Sequence, residues 1–355
     1  MTTGFDYLRV ILSVFILWWH SVGLATGDSA LDARIWSSPF RFMPAALVPM
    51  FFALSGYLVA GSLQRNPVHR FLMLRAIRIF PALVVEVTLS AVVVGAIFTT
   101  LSPLSYYTSW GFFRYMLNIV GLVKINLPGV FPNNPYPELI NGQLWTIPFE
   151  FECYLTLAAL AVLGIVSRRR WLLALIAVSA VLFTAWALIM DPLSATTHMP
   201  GRAFVFAFLF GVLVFNFRDK LPYNDVAGVL AIALSVLCLN IPALAYVAGA
   251  PMAYVTVWLG LKQPPAIKFG DLSYGIFLFH FPVLQVIIAL SHNALPWWGL
   301  AIFATPVTAL VALGSWNLVE RPVLLRKKFF IDQSDRMLAG ATRLIAGTKR
   351  RLGWI

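Results

Sequence analysis

Charge is what this sequence lacks most. Only 11% of its 355 residues are Asp, Glu, Lys or Arg, against about 25% in a soluble domain, which excludes an ordinary cytosolic enzyme. Acidic side chains are the scarcer sign, 14 against 26 basic ones. Cysteine is almost missing. Cys153 and Cys238 both fall inside apolar segments, so neither a disulfide framework nor a zinc site is expected. What is present in excess is apolar: the 60% hydrophobic fraction excludes a disordered chain, which lacks such residues.

The apolar residues come in runs of about 20, the length a membrane-crossing helix needs, whereas an outer-membrane barrel would alternate apolar and polar positions. The pattern predicts an all-α, polytopic integral membrane protein. Ten segments are expected, at 8–27, 42–63, 79–100, 143–166, 171–190, 201–217, 226–241, 243–261, 270–291 and 297–318. The seventh and eighth nearly fuse at Ile241-Pro242. Residues 104–123 carry a weaker apolar stretch broken by Arg114 and Lys124, and read as an interfacial or re-entrant helix. The surrounding stretch, 101–142, is rich in Pro and Asn, and loops of that length are usually functional.

A net charge of +12 would point to nucleic acid in a soluble protein; here it reads as topology, because basic residues collect in cytoplasmic loops. With the N-terminus inside, 21 of the 26 basic residues fall on the cytoplasmic side and only Arg34, Arg41, Arg114, Lys124 and Arg202 outside. N-in, C-in is the expected orientation, and no nucleic-acid partner is expected. Ala25-Thr26-Gly27 faintly resembles a cleavage site, but Trp18, Trp19 and His20 interrupt the apolar run and no basic segment precedes it, so the first helix is read as retained. The chain divides into a transmembrane unit, 1–330, and a tail, 331–355. From Gln333 to Trp354 the tail sets Met337, Leu338, Ala341, Leu344 and Ile345 against Arg336, Arg343, Lys349 and Arg350, the pattern of a basic amphipathic helix lying on the inner leaflet.

Ionisable groups at membrane depth are costly, so each is a functional candidate. Arg9 and His20 are 11 residues apart, close to three turns, so they share a helix face and stand about 16 Å apart along it, with Ser13 between them. Gln143, Thr146, Glu150 and Tyr154 recur at helical spacing in the fourth segment. Glu150 would lie about 10 Å below the outer surface by helix rise and His20 about 12 Å in a 30 Å core, so the two are expected to meet. Glu152, on the opposite face, has no assigned role. Ser273 and His280 are seven apart in the ninth segment, beside Asp271 and Tyr274. No pair has the i, i+4 spacing of metal ligands, and no metal is expected. Arg75 and Arg78 sit on one helix face with His69 and Arg70 close by, in a geometry that suits phosphate; a topology-setting basic loop explains the same charges. The intramembrane histidines could equally be packing residues, hydrogen-bonded between helices.

Together these residues resemble the membrane acyltransferase family 3 proteins, which O-acylate cell-envelope polysaccharides and other acceptors. The resemblance rests on Arg9 with His20, Phe51-Phe52-Ala53-Leu54-Ser55-Gly56-Tyr57, and Arg75-x-x-Arg78-Ile79-Phe80-Pro81. It continues with Leu144-Trp145-Thr146-Ile147-Pro148-Phe149-Glu150, with Leu272-Ser273-Tyr274 through His280-Phe281-Pro282, and with Glu320-Arg321-Pro322. It implies a bacterial cytoplasmic-membrane enzyme that uses acyl-CoA, usually acetyl-CoA, as donor and a hydroxyl of a glycan or lipid-linked saccharide as acceptor. Arg9 and His20 match the family's essential pair, Arg75 and Arg78 its RxxR motif, and Glu150 its acidic position. Many relatives add an SGNH-type hydrolase domain; this sequence shows none, which leaves single-chain transfer as the expectation.

The mechanism then expected has His20 as general base on the acceptor hydroxyl, with Glu150 orienting the imidazole and stabilising the imidazolium. Arg9, Arg75 and Arg78, with Ser13, would hold the donor, and His280, Ser273, Tyr274, Trp145 and Arg202 the acceptor. A covalent acyl-His20 intermediate is a variant. The alternative class is a transporter or flippase of a sugar or lipid-linked glycan, which tight CoA binding would separate from the enzyme; a small-molecule or lipid acceptor would leave the chemistry unchanged. Membrane lipid is an expected partner, and a homo-oligomer is compatible with the sequence.

Overall fold

The computed structural model describes residues 3–27, 30–190, 199–267 and 270–351, and among them every regular element is helical. The chain opens with α1 (Gly4–Thr26), ended by Gly27 in the left-handed conformation at φ 62°. It continues through α2 (Ala30–Trp36), α3 (Phe42–Arg65) and α4 (Val68–Thr88), the last running on as a π-helical turn, Leu89–Val94, into α5 (Gly95–Phe98). Two short helices follow, α6 (Pro103–Tyr107) and α7 (Trp110–Met116). The second half comprises α8 (Ile147–Val162), α9 (Arg169–Met190), α10 (Gly201–Asn216), α11 (Asp225–Asn240), α12 (Gly249–Gly260), α13 (Ser273–Leu290), α14 (Trp297–Ser315), α15 (Arg321–Leu325) and α16 (Lys327–Arg351).

Among the described residues, six helical stretches are long and apolar enough to cross a bilayer: α1, α3, Val68–Phe98, α9, α13 and Trp297–Leu325. The other expected segments form shorter helices. Residues 143–146 are a 3-10 turn rather than the first turn of α8, because Pro148 opens the α-helix behind it. The break expected at Ile241-Pro242 is present as a 3-10 turn, Pro242–Ala245, between α11 and α12. Wide exposed faces of α9 and α11, such as Val178, Leu182, Ile189, Val226 and Leu230, carry the composition of a surface solvated by lipid tails.

The interfacial stretch at 104–123 is two helices instead of one. Ser102 and Ser109 each accept a backbone N–H two or three residues on, so each starts its own helix. Their tyrosines complete α4: Tyr106 Oη donates to the Ala91 carbonyl at 2.7 Å and Tyr107 Oη to that of Val92 at 2.8 Å. A π-helical turn loosens the i→i−4 ladder, and these hydroxyls satisfy the carbonyls it exposes. Beneath them, Glu86 accepts from Ser90 Oγ at 2.6 Å and from Asn141, which also reaches Tyr115 Oη. This buried cluster ties the far end of 101–142 to α4.

The most extensive helix pair is α3 with α10. Glycines make it: a Cβ on Gly56 would strike the Phe208 carbonyl, and one on Gly211 the Ala53 carbonyl. Small residues let backbones approach closely in membranes, which explains the Ser55-Gly56 of the second segment. A smaller core joins α1, α13 and α14 around Leu17, Leu24, Phe281, Leu284, Leu300 and Ala304. Cys153 and Cys238 are free and buried. The tail helix α16 packs along α4, where Asp335 accepts from Arg70 at 2.9 and 2.8 Å and lies 2.7 Å from His69 Nε2. Lys268 and residues 352–355, part of the sequence expectations, lie outside the described residues.

Candidate active site

The helices enclose two adjoining chambers. One is lined by Arg9, Arg75, Arg78, Glu150, Tyr154, Ser273 and Tyr274, the other by His20, Asp32, Trp145, Gln143 and Phe281. They share Ile16, Val48, Thr146 and Phe277 as a common wall. Helix α1 runs past both, with Arg9 in the first and His20 in the second, so the stripe read from the sequence spans the partition.

In the arginine chamber the three guanidiniums are not equivalent. Arg9 is paired to Asp271 at 2.8 Å. Arg78 is paired to the same Oδ2 of Asp271 at 2.5 Å and to Glu320 at 3.2 Å, and lies over the Tyr274 ring. Asp271 is held in turn by the Ser273 hydroxyl at 2.5 Å and Glu320 by that of Ser315 at 3.2 Å. Arg75 has no ion pair among the described residues, and its Nε is buried without a hydrogen-bond partner. A buried cation left in this state costs free energy unless something compensates it. Arg75 is therefore the guanidinium available to an incoming anion or carbonyl.

Glu150 belongs to this chamber. Its Oε1 accepts from Tyr154 Oη at 2.6 Å, one helical turn away. The expected meeting of Glu150 with His20 does not form. A continuous α-helix through 143–150 would bring the two to one depth, whereas the 3-10 turn before Ile147 changes both the rise and the face presented.

His20 is instead bonded to His280, with Nδ1 to Nε2 at 2.7 Å and the rings stacked at 7°. The tautomers follow from chemistry. His280 Nδ1 lies 2.8 Å from the Phe277 carbonyl and 3.2 Å from that of Ile276, and carbonyls only accept, so that nitrogen carries the proton. In the neutral pair His280 Nε2 then accepts, His20 Nδ1 donates, and His20 Nε2 keeps its lone pair. The tautomer of His20 is thus set by the hydrogen bond its other nitrogen makes to His280.

Several residues assigned from the sequence stand elsewhere than expected. His280 is fully buried and bonded to His20, so it holds the His20 ring rather than lining the histidine chamber. Ser273 and Tyr274 open α13 and line the arginine chamber, two turns from His280. Ser13 donates to the Arg9 and Ser273 carbonyls at 2.7 and 3.1 Å, joining α1 to α13 without facing either chamber. Arg202 pairs with Glu152 at the surface, away from both. Trp145 lines the histidine chamber. Asp271 and Glu320 are the carboxylate partners of Arg78, and no spacing to Arg78 in the sequence signals either one; Asp271 stands beside Ser273 and Glu320 within Glu320-Arg321-Pro322. Asp32, on the short α2, left no signal either. Among the described residues, no group of three His, Cys, Asp or Glu side chains is placed to hold a metal ion.

Comparison with known proteins agrees with this architecture. The chain is 26% identical to nodulation protein 10 of Rhizobium leguminosarum bv. viciae, over 90% of this chain and 93% of that one. It is 25% identical to the O-acetyl transferase of Shigella phage Sf6, over 91% and 96%, and 24% identical to the peptidoglycan O-acetyltransferase OatA of Listeria monocytogenes, over 80% of this chain and 52% of that one. No solved structure matches. The acyltransferase domain defined for family 3 matches residues 2–317, and the protein, a multi-pass membrane protein, belongs to the acyltransferase 3 family.

Proposed function

We propose that the protein is an O-acyltransferase that moves an acetyl group from acetyl-CoA, bound at the arginine chamber, to a hydroxyl of a cell-envelope or lipid-linked glycan held in the histidine chamber. In this reading the chain crosses the bacterial cytoplasmic membrane ten times with both termini inside, and the arginine chamber opens to the cytoplasm. The observation that carries it is the shared wall: a chamber with an uncommitted arginine and a chamber with a poised histidine meet at Ile16, Val48, Thr146 and Phe277. Relatives named as O-acetyltransferases support the acetyl group and the glycan.

The histidine chamber, about 380 Å³, accommodates a sugar, and the arginine chamber, about 110 Å³, is the smaller of the two. Arg75, supported by Arg9 and Arg78, meets the donor's phosphates, and the pantetheine arm carries the thioester to the partition. The acceptor hydroxyl attacks the thioester carbonyl while its proton passes to His20 Nε2. The C–S bond breaks, the thiolate leaves and takes the proton from the imidazolium, and the products are the ester and free CoA. A hydroxyl whose pKa lies far above 7 needs such a base. His280 holds the ring during the transfer, and Glu150 with Tyr154 shapes the donor end.

Acetyl-CoA binding and slow hydrolysis by the purified protein in detergent test this reading. Wild type binds and turns over; His20→Ala binds with turnover reduced by ~10² or more; Arg75→Gln binds poorly. Absence of acetyl-CoA binding by wild type would overturn the reading and favour a glycan transporter.

A further inference from the structure

The histidine chamber does not end at its own mouth. Trp145, 41% exposed, lines it and also lines a separate surface groove of about 490 Å³. The groove is built from α7 and from the strand-like crossing where Asn126 and Leu139 pair. Its polar lining is cationic: Arg114 and Lys124 are both exposed, and neither has an ion pair or side-chain hydrogen bond among the described residues. Glu138, the one carboxylate there, is already committed to the Gly129 N–H at 3.0 Å. Its backbone sits at φ 62° and is pinned by bonds from Leu127 N to its carbonyl and from its own N–H to Val130, both 2.8 Å. A left-handed non-glycine residue held this way is a strained feature that the surrounding structure over-determines.

We propose that this groove is the binding site for an anionic segment of the acceptor, next to the sugar that enters the histidine chamber. This rests on the function proposed above and narrows its substrate class. Two unpaired cations supply the attraction for carboxylate or phosphate oxygens. Trp145, which lines both the groove and the histidine chamber, is 41% exposed and offers apolar ring surface to a pyranose. The apolar residues of the same segment, Trp110, Phe113, Leu117, Val120 and Leu122, are exposed; a lipid carrier lying on that surface would bring a diphosphate-linked saccharide beside the groove. An acidic sugar within a polymer presents the same chemistry, so the shared property is negative charge beside the acceptor residue.

Binding of labelled probes to the full-length protein in nanodiscs of zwitterionic lipid tests the proposal. The probes are an oligogalacturonate, a neutral maltooligosaccharide of equal length, and N-acetylglucosamine joined through a diphosphate to a polyprenol. At least one anionic probe binds tighter than the neutral one, by about tenfold for one good charge-assisted contact, and which one binds identifies the source of the charge. Arg114→Gln/Lys124→Gln abolishes that preference. Arg218→Gln/Lys220→Gln, an equal loss of charge remote from both chambers, leaves it intact. Raising salt from 50 to 500 mM weakens the anionic probe alone in wild type, a reading that needs no variant to fold. Equal affinity for neutral and anionic probes overturns the proposal, as does an unchanged preference in the Arg114/Lys124 variant. Capture of phosphatidylglycerol vesicles without saccharide binding overturns it too, by making the groove a lipid contact. Acetyl-CoA hydrolysis by wild type is measured apart, so failure of the acyltransferase reading and failure of the groove are distinguishable.

Discussion

His20 Nδ1 and His280 Nε2 stand 2.7 Å apart, joining α1 to α13 through two imidazoles with parallel rings. The Ile276 and Phe277 carbonyls fix the proton on the far side of His280, so the pair hands a defined tautomer to the chamber. Under the proposed function His280 is a positioning residue for His20. His280→Phe, which keeps a ring but removes the acceptor, is expected to lower kcat by ~10–100-fold, a fraction of what a general base supplies. KM for acetyl-CoA stays near wild type. His280→Gln, whose Oε1 can accept the same hydrogen bond, recovers part of the loss. The pH dependence of kcat shifts in His280→Phe and returns toward wild type in the Gln variant; a purely structural role would lower yield without moving that profile.

The arginines separate by partner. Arg78 neutralises Asp271 and Glu320, whose side chain is only 2% exposed. Removing one member of a buried pair leaves a charge uncompensated and costs about 3–5 kcal/mol. Arg78→Gln therefore lowers the unfolding temperature and the yield of monodisperse protein. Arg75 makes no ion pair among the described residues, so Arg75→Met lowers the unfolding temperature less than Arg78→Gln does, while acetyl-CoA affinity falls at least tenfold. Thermal scans and equilibrium binding on the same samples check both halves. An Arg75→Met variant that loses stability as Arg78→Gln does would remove the distinction.

How far the sequence carries can be judged from these residues. The all-helical class and most segments were legible because apolar length alone dictates a span. So was the Arg9–His20 stripe, since both lie on one uninterrupted helix where 3.6-residue periodicity holds. The separation of Glu150 from His20 was not, because it depends on the 3-10 turn at Gly142–Thr146 and on which way α8 faces its neighbours. The pairing of Arg78 with Glu320 joins residues 242 apart in sequence, and no periodicity reports a contact of that range. Gly56 was legible as a motif, yet its reason appears only with α10 against it.

The attachment of α16 to α4 carries its own pH dependence. Hydrogen bonds from Arg70, then His69, hold the Asp335 carboxyl down at about 2. A carboxyl depressed on docking stabilises the docked state above its ordinary value near 3.8 and loses that contribution as pH falls toward 2. Wild type thus keeps α16 docked at pH 7 and pH 5, and releases it progressively below about pH 4. Asp335→Asn shows weakened docking already at pH 7. Spin-label distances between Leu72 and Met337 positions, read across this range, check the expectation. An acid-insensitive distance, or an Asp335→Asn protein with wild-type docking, would show that apolar contact alone holds the tail.

The α3–α10 seam sets the chamber walls, since Val48, Phe51, Phe52 and Ser55 on one side and Phe208 on the other line the arginine chamber. Gly56 and Gly211 each face a backbone carbonyl of the opposite helix, and a carbonyl cannot swing aside as a side chain can. Gly56→Ala must push the helices apart, opening voids between the aromatic rings of Phe52 and Phe204, now tilted at 32° with centroids 5.4 Å apart. Overpacking of this kind costs about 1–3 kcal/mol, and the lost contacts add to it. Gly56→Ala and Gly211→Ala each lower the unfolding temperature, and the double variant loses less than the sum because one displacement relieves both clashes. Additive losses in the thermal scan would mean that the two glycines relax independently and that the seam is not a single contact.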